Sequence, residues 1–183
     1  MTLIIILVIV VLLALWIAGS YNRLITLVNK VAEAWSDIDV QLTRRYDLIP
    51  NLIETVKGYA THEREAFENV TKARAASLGA TSPQAKGAAE GMLASALKSV
   101  FAIAEAYPEL KANTNFQSLQ EELAQTENTI QQARRYYNGN VRDLNTTIQS
   151  FPGNIIANMF KFTIKEFFQL DNEAAKEPVA VKF

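Results

Sequence analysis

The sequence predicts an all-α protein: an N-terminal transmembrane helix followed by an up-and-down antiparallel four-helix bundle, with a short Phe-rich C-terminal helix. Three observations support this prediction. The chain of 183 residues opens on an unbroken apolar run, then repeats apolar residues at alternating steps of four and three, and contains only 7 Gly and 5 Pro. The first pattern is typical of a membrane span and the second of a bundle helix, and few helix-breaking residues interrupt either.

Residues 1–19 form the predicted transmembrane anchor. Leu3–Ala18 reads LIIILVIVVLLALWIA, and a helix of residues 1–19 is roughly 28 Å long, about the thickness of a hydrocarbon core. A cleaved signal peptide is disfavoured, because no basic segment precedes the run and WIAGS is a poor cleavage site. A buried soluble helix is disfavoured too, because the run has no polar face.

Charge around the span predicts its orientation. Arg23 and Lys30 follow the apolar run closely, and no Lys or Arg precedes it. The side of a membrane helix that carries more Lys and Arg stays in the cytoplasm. We therefore expect a single-pass protein of the cell membrane with its N-terminus outside and its helical bundle in the cytoplasm.

The predicted bundle spans residues 20–153, and its first two helices are expected to meet at a turn near Tyr46 and Asp47. Asp47 suits a helix N-cap, and Pro50 is tolerated in the first turn of a helix, so the second helix begins there. That helix is expected to end near Gly79 and Pro83. The first helix carries an apolar seam at Leu24, Val28, Val31, Trp35, Ile38 and Leu42.

The third and fourth helices complete the predicted bundle. An Ala-rich third helix runs from about Gln84 to Tyr107, and Pro108 breaks it. Long helices joined by short connections pack antiparallel, which predicts the up-and-down order. Inward positions of the third helix are expected at Met92, Ala96, Val100, Ile103 and Tyr107. The fourth and longest helix keeps one face at Phe116, Leu119, Leu123, Thr126, Ile130, Ala133, Tyr137, Val141, Leu144 and Ile148.

Residues 154–170 form the predicted Phe-rich helix, and residues 171–183 form a C-terminal tail. The up-and-down order returns the fourth helix toward the membrane, so the Phe-rich helix is expected at the membrane-proximal end. Two interpretations stay open: this helix packs on the base of the bundle, or it lies in the membrane interface with Lys161 and Lys165 toward the headgroups. The candidate membrane-proximal face comprises Phe151, Phe160, Phe162, Phe167 and Phe168.

A search for catalytic, metal and cofactor sites in the sequence finds no complete set. Asp37 and Asp39 point about 200° apart on a helix, so they cannot share a substrate or a metal ion. His62 is the single histidine, and Ala66 stands where the zinc-helix pattern needs a second one. The chain has no Cys, and its 18 Lys and Arg against 19 Asp and Glu disfavour nucleic-acid binding. We expect no enzyme activity, no cofactor and no nucleic-acid partner.

The candidate partner-binding surface is the membrane-distal tip of the predicted bundle, where two interhelical turns are expected to converge. Loops at the end of a rigid scaffold often carry function, and Arg, Lys, Asn and Asp suit an acidic ligand or a protein partner. The alternative is local turn chemistry, in which Asp47 and Asn115 cap helices. The residues of this tip are Arg44, Arg45, Asp47, Asn51, Lys111, Asn113 and Asn115.

Several long blocks resemble the LemA family. They are WSDIDVQLTRRYDLIPNLIETVKGYATHE, the preceding YNRLITLVNKVAEAW, and the later YPELKANTNFQSLQEELAQTENTIQQARRYYNGNVRDLNTTIQSFPGNIIA. The resemblance implies a bacterial membrane-anchored protein with a domain similar to a four-helix bundle, and it brings no catalytic residues. It also implies adaptor or membrane-organising work, with a membrane protease as one partner, because relatives are encoded beside such proteases or associated with membrane organelles. Many relatives read GFK where this chain has Lys161-Phe162-Thr163.

Three hypotheses about function follow. The first is a non-enzymatic scaffold that the membrane anchors and that presents a helical bundle to protein partners. The second is a membrane-shaping homo-oligomer, which would use the Phe-rich base and neighbouring anchors in the lipid bilayer. The third, an enzyme, has the least support, because no acid, base, nucleophile or metal set is complete. Assembly that depends on lipid would favour the second hypothesis over the first.

Overall fold

The computed structural model describes residues 1–169, and this range holds six helices and no strand. The all-α prediction is confirmed. The predicted tail, residues 171–183, lies outside the described residues, as does the last residue of the predicted Phe-rich helix. The helices are α1 (Thr2–Lys57), α2 (Arg64–Gly79), α3 (Pro83–Glu105), α4 (Pro108–Lys111), α5 (Thr114–Gln149) and α6 (Gly153–Met159).

The long helix α1 contains the predicted membrane span. Its 56 residues begin with the apolar run, whose side chains are exposed, for example Leu3 at 77% and Leu15 at 65%. Leu24 is the first residue along the chain that is fully buried. A stretch of this length and composition can cross a bilayer. The helix α3 also passes that test, but its buried face, with Leu93 and Val100, packs within the protein.

The turn expected near Tyr46 and Asp47 does not exist, because α1 runs through it and ends at Lys57. Pro50 lies inside the helix, where its missing N–H leaves the Tyr46 carbonyl without its usual partner. Arg74 replaces that partner, since its Nε donates to the Tyr46 carbonyl oxygen at 2.8 Å. The proline is therefore tolerated through a bond from α2, and the chain turns at residues 58–63 instead.

The chain divides into two compact units, and the first comprises Met1–Asp39 and Gln132–Glu166. Here the first part of α1 pairs with the second part of α5. The rings of Trp35 and Tyr137 lie 5.3 Å apart, as the predicted seam requires, and Tyr137 is buried. Closer to the anchor, Ser20 to Leu24 share a groove with Thr146 to Ser150, so the two helices are antiparallel.

The short helix α6 ends at Met159, so the predicted Phe-rich helix over 154–170 is wrong beyond that residue. Lys161 takes a left-handed conformation with φ 58°. The Phe162 N–H bonds to the Ala157 carbonyl at 2.9 Å, and the Lys161 N–H to Asn158 at 3.3 Å. This is the Schellman arrangement that closes many helices, usually with glycine at the left-handed position. Because Lys161 occupies this position instead of glycine, no local pattern in the sequence indicated that the helix ends here.

The second unit comprises Val40–Gln131 and the segment that begins at Phe167. It holds the end of α1, the helices α2, α3 and α4, and the first part of α5. Ser82 caps α3 by accepting from the Ala85 N–H at 3.1 Å, and Asn113 caps α5 through the Phe116 N–H at 3.1 Å. Its buried apolar side chains include Ile49, Leu52, Val56, Phe67, Val70, Leu93, Val100, Leu110, Phe116 and Leu123.

The inward face of α3 agrees with the predicted one only in part. Val100 is buried as expected, but Met92 is 56% exposed, and the buried residues Leu93, Leu97 and Ala104 were not among the predicted positions. An Ala-rich helix has small apolar residues on several faces, so periodicity alone did not separate the buried face from its neighbours. Gly87 lies on the buried side, and a Cβ there would stand 1.8 Å from the Gln169 carbonyl oxygen.

Candidate functional site

A buried ionic cluster occupies the second unit around Arg45. This side chain is 4% exposed, which corrects the expectation that it lies at an exposed tip. Its guanidinium contacts the carboxylates of Glu90 and Glu127. The Tyr46 hydroxyl also donates to Glu90, which is itself 1% exposed. Neighbouring Arg44 is exposed, as the sequence predicted.

The electrostatics of this cluster indicate a structural role. Burial lowers the pKa of Arg45 from its ordinary value, and the negative charge of Glu127 opposes that effect. Guanidinium groups nevertheless stay protonated in proteins, so Arg45 remains a cation. Removing either partner of a buried ion pair leaves an uncompensated charge, which strongly destabilises the fold. The carboxylate of Glu90 is engaged by Arg45 and Tyr46 and buried from solvent, so it is poorly placed for acid–base chemistry.

The α1 residues of the predicted tip form an exposed stripe along the helix instead. Arg44, Asp47 and Asn51 are all exposed and follow one another at helical spacing, so they share one face. Val40, which is 61% exposed, extends the same face by one turn. Asp47 lies mid-helix and caps nothing, contrary to expectation. This set, Val40, Arg44, Asp47 and Asn51, is called the α1 stripe below.

The remaining tip residues lie at the connection between α4 and α5. Lys111 pairs with Glu105 at 2.7 Å. Asn113, rather than Asn115, caps α5, and its amide donates to the Tyr59 hydroxyl at 3.0 Å. Lys57, the last residue of α1, follows Arg45 by 12 positions, which is about 18 Å along the helix axis, and Tyr59 lies in the turn after it. The structure therefore divides the seven residues into separate groups.

The candidate membrane-proximal face is divided as well. In the first unit Phe151 is 80% exposed, and the Tyr21 ring lies 4.7 Å from that of Phe160 and 5.8 Å from that of Phe162. In the second unit Phe167 is exposed, but Phe168 is buried and cannot contribute to an exposed face. Phe160, which follows α6, is 46% exposed as well. Three further exposed apolar residues around α6 in the first unit, Phe151, Ile155 and Met159, are called the α6 stripe below.

Sequence reasoning missed a groove of the first unit at the end of the apolar span. Its volume is about 350 Å³. The side chains arrive from two antiparallel helices and the loop after α5, so the sequence did not show that they converge. The one local signal was helical spacing between Trp16, Ser20 and Arg23. The groove is lined by Trp16, Ser20, Arg23, Leu24, Thr146, Thr147, Ser150, Phe151, Pro152 and Gly153.

The other polar candidates stand apart from one another. Asp37 and Asp39 are both exposed, and buried Ile38 lies between them on α1. His62 is exposed in the turn after α1. Across residues 1–169, no three His, Cys, Asp or Glu side chains come close enough to hold a metal ion.

Comparison with known proteins finds one matching family and several similar magnetosome proteins. The model of the LemA family matches residues 34–183. Magnetosome proteins MamQ 1 and MamQ 2 of Paramagnetospirillum magneticum are each 23% identical over 87% of this chain and 68% of their own length. Magnetosome protein MamQ of Magnetospirillum gryphiswaldense is 22% identical over the same shares. The family resemblance noted in the sequence is thus confirmed.

Proposed function

This chain belongs to the LemA family, and from that premise we propose that it is a non-enzymatic, single-pass membrane protein that serves as a scaffold or adaptor. The observation that carries the proposal is the composition of α1. One continuous helix begins with exposed apolar residues and continues into positions that are fully buried, such as Leu24, Ile38 and Leu42. Such a helix joins a bilayer anchor to a packed helical domain without a flexible linker.

The domain that the anchor carries is, in this proposal, an up-and-down four-helix bundle in the cytoplasm. Contacts in the second unit support antiparallel neighbours: Arg45 and Glu127 meet at one level, and Tyr59 and Asn113 meet at another. The excess of Lys and Arg after the span supports the cytoplasmic side. Protease added to intact cells should leave the bundle uncut, and should cut it once the membrane is opened. Digestion without lysis would reverse the orientation.

The α1 stripe is the proposed contact surface for a protein partner. It is exposed along two to three helical turns, it offers charges of both signs with Arg44 and Asp47, and Val40 adds an exposed apolar contact. Protein interfaces combine such apolar and polar contacts. Lys111 and Asn113, by contrast, are engaged with residues of their own chain.

Site-specific cross-linking in native membranes tests this contact surface. A photo-reactive residue replaces Asp47, and the control carries it at Asn128, an exposed position on α5. We expect one discrete protein adduct from position 47 and none from position 128, and we expect Arg44→Glu to remove the adduct without lowering the melting temperature. An adduct that survives Arg44→Glu, or equal adducts from both positions, would reject the stripe as the contact.

A second candidate function is a membrane-shaping homo-oligomer, which the exposed α6 stripe favours. Phe151, Ile155 and Met159 offer apolar side chains to a lipid surface or to another copy, and the named relatives are magnetosome proteins. The purified full chain, added at rising ratios to lipid vesicles, would then assemble and deform them, as seen by electron microscopy. Phe151→Ser should abolish that deformation. Vesicles that stay spherical at every ratio would leave the adaptor as the better proposal.

A further inference from the structure

We propose that the groove of the first unit binds the phosphodiester headgroup of an anionic phospholipid. The inference rests on the proposed membrane anchoring and adds a specific lipid site to it. The groove lies where the apolar span ends, and its polar lining supplies a cation and hydroxyl groups. This is the chemistry that a phosphodiester requires, because its oxygens accept hydrogen bonds and carry negative charge.

The donors of the groove are not used within the protein. Arg23 is exposed and makes no ion pair within residues 1–169. The hydroxyls of Ser20, Thr146 and Ser150 likewise make no hydrogen bond in the described part of the chain. Thr147 differs, since its hydroxyl donates to the Asp143 carbonyl at 2.8 Å. One guanidinium and three hydroxyls therefore face the groove as available donors.

The depth of the groove matches the headgroup layer. Ser20 and Arg23 lie two and five positions after Ala18, the last apolar residue of the span, which is about 3 and about 7 Å along the axis. The polar layer on each side of a bilayer is about 5–8 Å thick. Side chains on a helix tilt toward its N-terminus, so Arg23 leans toward the bilayer, and its long side chain can follow the surface. Trp16 in the groove suits the interface as well.

Negative groups near the groove are already engaged. The end of α5 places carbonyl oxygens there, but those of Thr146 and Ser150 each accept a backbone N–H at 2.9 Å. The Asp143 carboxylate contacts Arg142 at 3.4 Å. The groove is therefore positively charged, because Arg23 is its one unpaired charge among residues 1–169. The backbones at Gly153 and Thr147 pack closely in the lining of the groove, since a Cβ on Gly153 would lie 2.5 Å from the Thr147 carbonyl oxygen.

Quenching of tryptophan by brominated lipids tests the site in the full chain. Trp35→Phe leaves Trp16 as the single tryptophan, and the chain is reconstituted in vesicles that carry brominated phosphatidylglycerol or brominated phosphatidylcholine. A basic residue at an anionic surface shifts binding about fivefold, so we expect phosphatidylglycerol to be preferred at Trp16 by about that factor. Arg23→Gln should bring the ratio near one. Lys30→Gln removes the same charge from an exposed position further along α1 and should keep the preference.

A variant with unchanged charge distinguishes specific headgroup binding in the groove from nonspecific electrostatic attraction between the protein surface and anionic lipid. Thr146→Val combined with Ser150→Ala removes two hydroxyl donors and leaves the charge unchanged, and it should lower the preference at least twofold with unchanged helical circular dichroism. An unaltered preference in that variant would overturn the groove as the site, as would equal quenching by both lipids in the parent protein. Loss of the preference in millimolar inorganic phosphate would assign the groove to free phosphate and overturn the lipid. Failure of the chain to enter vesicles would instead reject the anchoring.

Discussion

Replacing Arg45 should destabilise the protein far more than replacing its exposed neighbour. Arg45→Ala removes a cation that is 4% exposed and leaves Glu90, which is 1% exposed, facing only the Tyr46 hydroxyl among the contacts described above. Breaking a buried ion pair by removing one partner costs about 3–5 kcal/mol. Glu127 adds little to this loss of stability, because its side chain is 36% exposed and water can solvate its carboxylate once Arg45 is removed. Arg44→Ala, at an exposed position, should change stability by about 0.5 kcal/mol or less.

A double variant distinguishes charge from packing as the cause. Arg45→Met with Glu90→Gln removes both charges, keeps most of the side-chain volume and leaves an amide oxygen that accepts from Tyr46. Since a buried pair replaced by neutral residues is often tolerated, the double variant should recover roughly 2 kcal/mol of the loss in Arg45→Ala. A loss caused by missing volume would also be restored by methionine alone, so Arg45→Met is the matched control.

The assay is unfolding of the full chain in nonionic detergent, followed by helical circular dichroism under rising guanidinium concentration. The free energies of the parent, Arg44→Ala, Arg45→Ala, Arg45→Met and the double variant are compared at one detergent concentration. If Arg45→Ala unfolds within about 1 kcal/mol of Arg44→Ala, the burial argument fails. If Arg45→Met alone regains the loss, the cost was packing and the ionic explanation is wrong.

Three further predictions concern the anchor, one tyrosine and two glycines. Val10→Arg puts a charge in the middle of the span, at a cost of about 3 kcal/mol for insertion into the bilayer. The variant should therefore be released from the membrane pellet while its helical circular dichroism persists. Retention of the variant in the pellet after a carbonate wash would contradict this prediction. Burial, with a smaller effect from Glu166, raises the pKa of Tyr137. The neutral Tyr137 side chain therefore stabilises the fold fully below the ordinary tyrosine pKa of about 10, and this stabilisation is lost as the pH rises through the raised pKa of the folded state. In Tyr137→Phe, the free energy of unfolding should decline less at alkaline pH than in the parent protein. Gly87→Ala should destabilise the fold by about 1–3 kcal/mol, because the new Cβ would clash with the Gln169 carbonyl oxygen. In Gly139→Ala the Cβ would meet nothing within 4 Å, so this variant should stabilise the fold by up to about 1 kcal/mol. Equal changes in the free energy of unfolding for the two variants would contradict the close approach at Gly87.

The candidate sites show how far local patterns reach. Exposure of Arg44 was expected because both arginines were placed at a tip of the predicted bundle, but the same argument failed for Arg45. The carboxylates that allow Arg45 to be buried are 45 and 82 positions away along the chain. The groove is a similar case, because Arg23 could be recognised as part of a site only once the fold had brought Thr146 and Ser150 next to it. Sites made by residues distant in sequence depend on packing that periodicity does not encode.

The sequence by itself determined the apolar span, the all-α class and the buried face of α5. These properties are local: an apolar run of sufficient length forms a membrane-length helix, and a sustained helical period identifies one face. Only the tertiary structure decided that α1 continues through Pro50 and that α6 stops before Lys161. In the first case Arg74 supplies the hydrogen bond that proline cannot, and in the second a lysine takes the conformation that glycine usually provides. Each outcome overrides a local preference because a hydrogen bond formed in the folded chain offsets its cost.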